Sequence, residues 1–382
     1  MPDILPESSL SDNLPTSAQL CTAIPVREGL SFHIVIGREA DDPFSQAFAQ
    51  GKYPSGPLTD LMFQLIRPGD SILDLGAHVG TFSLAAAALG CRVVSVEASP
   101  RNAELLRASV QCNRFDNMRV VHGAVTNHRG TLQFMPNGPH GVVFSPIVDL
   151  PSVAVPAVTV DQSLQEMGWP RVDFIKMDVE GSEIAAVQGM RHLLAGREAP
   201  PILYESNGHT LRFFGKTVNQ LKRSLELLGY RNYQVEQGVL IPVRARDLQP
   251  FGVVDYLAIK RWPSRLSGWR VGKRLSRTEL LEWFLSACAY PHQHVRGHAA
   301  RELARAPRWL LSQPAIQNTL AALRNDPLAE VREAASWSIT CRPRFALIPR
   351  SIRRMGKPVV SLMRRFRQRV KERVASRLRR SA

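Results

Sequence analysis

Residues 71–100 constrain this chain more than any other stretch. They read Ser-Ile-Leu-Asp-Leu-Gly-Ala-His-Val-Gly, then an alanine-rich run, then Cys-Arg-Val-Val-Ser-Val-Glu-Ala-Ser-Pro. Residues 71–75 have the pattern of a short apolar strand and residues 81–89 that of a helix, with Gly76 and Gly80 at the turn between them. Glycine lets the backbone turn sharply there and come close to a ligand, and the helix presents its free N-terminal amides on the same side. Residues 93–96 form a second buried strand, and Glu97 ends it, 23 residues after Asp74. A carboxylate at that place can accept hydrogen bonds from two ribose hydroxyls. The pattern predicts the nucleoside-binding half of a doubly wound, mostly parallel α/β sheet.

Two classes of cofactor compete for such a half-site. NAD and FAD need Gly-x-Gly-x-x-Gly, which seats a pyrophosphate on the helix N-terminus. Here the glycines read Gly76-x-x-x-Gly80, and Asp74 stands just before them. A carboxylate there repels a pyrophosphate and pairs with the ammonium of an amino acid. S-adenosylmethionine carries that ammonium and no phosphate, so the segment favours the methyl donor over NAD or FAD. The expected donor contacts are Asp74, Gly76, Ala77, His78, Gly80 and Glu97. Ala124 joins them after a third strand at 118–121, where small residues let an adenine lie against the backbone.

A second landmark is Val172-Asp-Phe-Ile-Lys-Met-Asp-Val-Glu-Gly-Ser-Glu183. It reads as a buried strand at 174–177 ended by Asp178, a turn at Gly181 and a helix from 184. Ligands of open α/β sheets bind beyond the carboxyl ends of the strands, so Asp178 and Glu180 are expected in one crevice with Asp74 and Glu97. Pro201-Ile-Leu-Tyr-Glu-Ser-Asn207 adds Glu205 and Asn207 at a further strand end, and closing strands are expected near 234–241 and 253–259. A hydroxyl acceptor held about 3 Å from a sulfonium methyl gains from a general base. Asp178, Glu180 and Glu205 are the candidate catalytic carboxylates, with Lys176 and His209 behind them. Neighbouring acids raise one another's pKa, which helps one act as base. Asp178 could instead bind the donor's ammonium, and Glu180 and Glu183 could simply favour the start of the next helix. Three carboxylates could hold Mg2+, but no ligand spacing demands it, and no metal is expected.

Together these segments resemble the FkbM family of methyltransferases over about residues 30–260. The likeness rests on Asp74-Leu-Gly-Ala-His-Val-Gly80, Val96-Glu97 with Pro100, Phe174-Ile-Lys-Met-Asp-Val-Glu-Gly-Ser-Glu183 and Ile202-Leu-Tyr-Glu205. It implies a class I, Rossmann-like fold with a last antiparallel strand. It also implies O-methylation by S-adenosylmethionine, on a sugar, glycan or related hydroxylated metabolite. In such folds the acceptor pocket comes from the N-terminal segment and inserted hairpins, here 38–57, 135–150 and 206–216. Two positions depart from the family pattern. His78 stands where Asn is usual, which could alter contacts to the methionine end, and Ala98 and Ser99 separate the ribose acid from Pro100.

Beyond this body the chain changes character. Val295 and Val331, 36 residues apart, anchor two matching segments, His294-Val-Arg-Gly-His-Ala-Ala-Arg-Glu-Leu-Ala304 and Glu330-Val-Arg-Glu-Ala-Ala-Ser-Trp-Ser-Ile339. They resemble HEAT repeats, which need neighbours to bury both faces, so they are expected to pack on the catalytic domain, on the tail or on a partner protein. His292, His294 and His298 cluster here, but no Cys or acid completes a metal site, and they read as packing or solvated histidines. The expected organisation is a disordered N-terminus (1–22), a methyltransferase-like domain (23–262), a basic linker (263–277), a small all-α HEAT-like domain (278–341) and a basic helical tail (342–382).

Of the net charge of +16, +14 lies in that tail, where residues 342–382 hold fifteen Lys/Arg and one Glu, and the rest of the chain is nearly neutral. Val359, Met363, Phe366, Val370, Val374 and Leu378 recur three or four apart between arginines, which suits an anionic membrane surface. A nucleic-acid methyltransferase recruited by the tail is an alternative reading. It is disfavoured because Asp178-Val-Glu-Gly stands where base-methylating enzymes carry Asn/Asp-Pro-Pro-Tyr. A repeat scaffold with a vestigial enzyme fold is a further alternative, against which the intact Asp74, Gly76, Gly80 and Glu97 speak. The five cysteines are scattered, without a C-x-x-C spacing. There is no signal-peptide pattern and no run of 18 apolar residues. The expectation is a cytoplasmic enzyme, peripheral at most at the inner membrane surface.

Overall fold

The computed structural model describes residues 17–38, 43–54, 56–136, 141–143, 151–169, 171–266 and 268–340. The tail at 342–382 lies outside them, as does the N-terminus up to residue 16. In chain order the first strands are β1 (Ala18–Arg27), β2 (Leu30–Gly37), β3 (Ser71–Leu75), β4 (Arg92–Glu97), β5 (Met118–His122), β6 (Ala124–Val125), β7 (Gly130–Met135) and β8 (Val142–Val143). They are followed by β9 (Val153–Val158), β10 (Phe174–Met177), β11 (Ile202–Asn207), β12 (Arg231–Glu236), β13 (Val239–Val243), β14 (Val253–Ile259) and β15 (Arg270–Val271).

Nine of them make one sheet in the order β15-β13-β12-β14-β11-β10-β3-β4-β5. Strands β5, β4, β3, β10 and β11 run parallel, and β14 enters antiparallel between β11 and β12. This is the expected doubly wound sheet with its antiparallel closing strand. The order reverses at β3, with β4 and β5 on one side and β10 and β11 on the other, so a crevice opens above the carboxyl ends of β3 and β10. All five residues of β3, Ser71 and Asp74 included, are buried, as a central strand covered on both faces requires. One face packs Leu84, Ala85, Leu106 and Phe174, the other Leu75, Val96, Met177 and Leu221.

Several boundaries differ from expectation. A strand begins at Ala18 rather than after residue 22. The β1–β2 hairpin is held by the helix Pro100–Asn113, because Ser109 Oγ accepts from Val35 N at 2.8 Å and Asn113 Oδ1 accepts from His33 N at 2.7 Å. The single strand expected at 234–241 is a hairpin, β12 and β13, turning at Gly238 with φ +67°. The segment 263–277 is not a free linker. Arg265 pairs with Asp70, Leu266 is buried, and β15 joins β13.

Helices Arg277–Cys288, Gln293–Leu303, Arg308–Leu311, Pro314–Leu323 and Ala329–Thr340 share their own core of Phe284, Leu303, Ile316, Leu320 and Val331. The two sequence copies are built alike. Arg296 Nη1 donates to Tyr290 O and Pro291 O at 2.9 and 2.5 Å, and Arg332 Nη1 donates to Asp326 O and Pro327 O at 2.8 and 2.7 Å. The unit packs on the catalytic body. His298 is buried with Nε2 2.9 Å from Gln249 O, and its ring lies so close to Gly208 that a Cβ there would meet it at 2.2 Å.

Candidate active site

The loop from Gly76 to Gly80 is shaped by contacts beneath it. Gly76 adopts φ +79°, and a Cβ there would lie 1.7 Å from Asp178 O, so the β3 and β10 loops touch backbone to backbone. Gly80, at φ +96°, is a packing glycine whose Cβ would meet Leu106 Cδ1 at 2.4 Å. His78 sits at φ +53°, a left-handed conformation that Asn and His adopt more readily than other side chains. The backbone conformation at this place is thus one that His accepts as Asn does. The His78 amide donates to Glu97 Oε2 at 2.7 Å, and the Ser99 amide donates to Oε1 at 2.8 Å. Glu97 is buried, which raises its pKa, while those two amides act the other way. Its carboxylate is thus fixed at the cavity wall with further lone pairs available to a diol.

A cavity of about 300 Å³ opens above this loop. Gly76, Ala77, His78, Glu97 and Ala124 line it, and so do Asp178, Glu180 and Glu205. Of the expected donor contacts, Asp74 and Gly80 do not. Asp74 is wholly buried; its Oδ2 accepts from Ser83 Oγ, which in turn accepts from Ser95 Oγ at 2.7 Å. Lys176 Nζ stands 3.6 Å from Asp74 Oδ1 and 3.5 Å from Asp178 Oδ2, and donates to Gly76 O at 2.9 Å. Burial would lower the lysine's pKa, but Asp74, Asp178 and Glu205 together raise it. Lys176 is therefore a lasting cation that ties both loops together; Asp74, whose pKa burial raises while Lys176 and Ser83 lower it, is turned toward that lysine and away from the cavity. Asp178, about one-third exposed, is the carboxylate left facing the cavity near the loop.

The catalytic candidates separate in the same way. Ligand oxygens of Asp178, Glu180 and Glu205 come within 4.8 Å of one another, with Lys176 compensating their charge. Glu180 takes the strained φ +47° and accepts from Asn207 Nδ2 at 3.2 Å. Burial, then Asp178 and Glu180, push Glu205 well above the usual carboxylate range. Glu183 is buried away from the cavity, accepts from Gly181 N at 3.0 Å, and is raised by burial to about 8. His209 does not line the cavity. Its ring packs 4.0 Å from that of His294 in the helical unit, so the second-line base expected there is absent.

Asp255, which sequence reasoning missed, does line the cavity, and burial and Asp178 push it up to about 7. Its signal was an acid inside the apolar run Val-Val-Asp-Tyr-Leu-Ala-Ile, where burying a charge is costly without a purpose. The cavity is also lined by Phe44, Leu58 and Met62 from the N-terminal helices, Tyr53 from the loop between them, and Phe134 and Gly141 from the insert. None of 206–216 contributes.

This sheet order, with a cavity at its switch point, is that of the doubly wound, Rossmann-like class. Residues 74–232 match the family model described as the methyltransferase FkbM domain. The chain is an S-adenosylmethionine-dependent methyltransferase. Solved structures similar to it include a TehB-like S-adenosylmethionine-dependent methyltransferase from Corynebacterium glutamicum, 14% identical, covering 56% of this chain and 93% of that one, with a TM-score of 0.34. Others are precorrin-6y C5,15-methyltransferase from Geobacter metallireducens, 14% identical over 52% and 84% of the chains (TM-score 0.32), and fibrillarin from Aeropyrum pernix with natively bound S-adenosyl-L-methionine, 14% identical over 51% and 68% (TM-score 0.32). No curated protein matches the sequence.

Proposed function

We propose that the enzyme transfers the donor's methyl group to a hydroxyl of a sugar, glycan or related hydroxylated metabolite. The donor would lie with its ribose on Glu97, its adenine against Gly123 and Ala124, and its ammonium toward Asp178. The bound donor supplies an electrophilic methyl on a cationic sulfur. The observation that carries the hydroxyl reading is the carboxyl pair Glu205 and Asp255, paired across two strands on the cavity wall, burial raising both above the usual carboxylate range. An alcohol oxygen gains from a base as it attacks, because its proton is lost only as the new bond forms. As the oxygen bonds to the methyl carbon and the carbon–sulfur bond breaks, the hydroxyl proton passes to Glu205 and S-adenosylhomocysteine leaves. A cationic donor nearby favours the ionised carboxylate, so loading it readies the base.

The apolar wall of Phe44, Tyr53, Leu58 and Met62 gives one face of a sugar ring or a hydroxylated metabolite something to lie on. The test is release of S-adenosylhomocysteine over a panel of glycosides, hydroxylated metabolites and amines. Turnover confined to amines would overturn the reading. Turnover of a hydroxyl acceptor that drops about 10²–10⁴-fold in Glu205→Gln, with donor affinity intact, would support it.

A further inference from the structure

We propose that His209, His294 and Glu330 form a transition-metal site, suited to Zn2+, that ties the helical unit to the catalytic body. The fold supplies what the local sequence around His294 lacks. His209 arrives from the segment after β11, and Glu330 arrives from the second repeat copy, at the position equivalent to His294. One ligand atom from each lies within 4.8 Å of the others. His294 Nδ1 and Glu330 Oε2 are already 3.5 Å apart. Two ligands bonded at about 2.0–2.1 Å in tetrahedral zinc lie about 3.3 Å from each other, so the His294–Glu330 pair is already near that spacing, and His209 would have to turn its ring to join it.

A second observation points to a ligand. Nδ1 of His209 and Nδ1 of His294 are both shut off from solvent and have no hydrogen-bond partner. Buried polar atoms are almost always satisfied, and a metal ion bound at the edges of both rings would satisfy both. The surroundings of Glu330 fit a ligand carboxylate. Arg212 Nη2 and Arg301 Nη1 hold Oε1 at 2.9 and 3.3 Å, leaving Oε2 toward His294. Ligating carboxylates are commonly fixed by hydrogen bonds in this way. The same guanidinium groups disfavour hard cations held by charge alone, whereas imidazole ligation suits Zn2+, Co2+ or Ni2+. The proposal is independent of the methyl-acceptor reading.

The test uses the full chain, stripped with a chelator and titrated with Co2+ followed by Zn2+. One equivalent of Co2+ should give the intense visible band of a low-coordinate site, abolished by one equivalent of Zn2+. His294→Ala and His209→Gln should each weaken Co2+ binding at least tenfold. Asp178→Asn, at the separate carboxylate cluster, should leave the band unchanged. Using two variants on opposite sides of the interface keeps the test readable should one of them unfold. The proposal is overturned if the wild type shows no such band, if the band survives both histidine variants, or if it vanishes in Asp178→Asn.

Discussion

Glu205 and Asp255 are cross-strand partners on β11 and β14, and both side chains line the cavity above the glycine loop. Paired acids with little water between them titrate as a unit. Asp255 is pushed up to about 7 and Glu205 well above the usual range, burial being the main cause of each. Below that range the pair holds its protons and cannot accept one from a hydroxyl. The turnover rate should therefore rise with pH as the pair loses its protons, above the usual carboxylate range, and then level. Asp255→Asn removes a negative neighbour from Glu205 and should move the rising limb to lower pH. A pH–rate profile unchanged in both Asp255→Asn and Glu205→Gln would remove the pair from the mechanism.

Donor binding rests on a different carboxylate. Glu97 is fixed by two backbone amides before any ligand arrives, so its affinity for a diol costs little ordering. Glu97→Ala should weaken S-adenosylmethionine by about 1–3 kcal/mol, the consequence of leaving ribose hydroxyls without a partner. Titration calorimetry reads this as a Kd raised roughly 5- to 150-fold. A Kd within twofold of wild type would take the ribose away from Glu97.

Much of this site was legible because strand ends announce themselves. The sharp turn after residues 71–75, Glu97 at the end of β4 and Asp178 after β10 follow from short apolar runs stopped by glycine or acid. What the pattern could not show is which acids face each other and which are consumed internally. Asp74 has the sequence position of a ligand contact, yet Lys176, a hundred residues away, is its partner in three dimensions. Asp255 sits on a strand that crosses β11 antiparallel, a pairing set by tertiary packing. His209 follows the catalytic strand in sequence but belongs to the interface with the helical unit. Local spacing carries the first kind of information and no trace of the second.

Gly76 offers a test of the backbone contact between the two loops. Gly76→Ala places a methyl 1.7 Å from the Asp178 carbonyl oxygen and forces alanine to φ +79°. Strain at one such residue costs about 1–3 kcal/mol, and the overlap adds to it. Thermal unfolding should fall well below wild type, or the protein should fail to fold. Gly196→Ala is the control, because nothing lies within 4 Å of a Cβ there and φ is −63°. It should be neutral or slightly stabilising. Equal melting temperatures for the two variants would contradict the contact.

The cation beneath the loops gives the sharpest stability test. Lys176 compensates Asp74, which is wholly buried and has one oxygen without a hydrogen bond. Removing one partner of a buried pair leaves the other uncompensated, at about 3–5 kcal/mol. Lys176→Met should therefore destabilise the fold by that amount, and Asp74 should recover some stability by taking a proton as pH is lowered. Asp74→Asn in the same background removes the stranded charge while keeping an acceptor for Ser83. The double variant should be more stable than Lys176→Met alone, by at least about 1 kcal/mol in denaturant titrations. If Lys176 instead served only to hold Asp178 toward the cavity, the second substitution would add its own loss to the first. Additive losses in the cycle would thus reject the Asp74 pairing, and a compensating double variant would establish that the two loops are held together by charge from below.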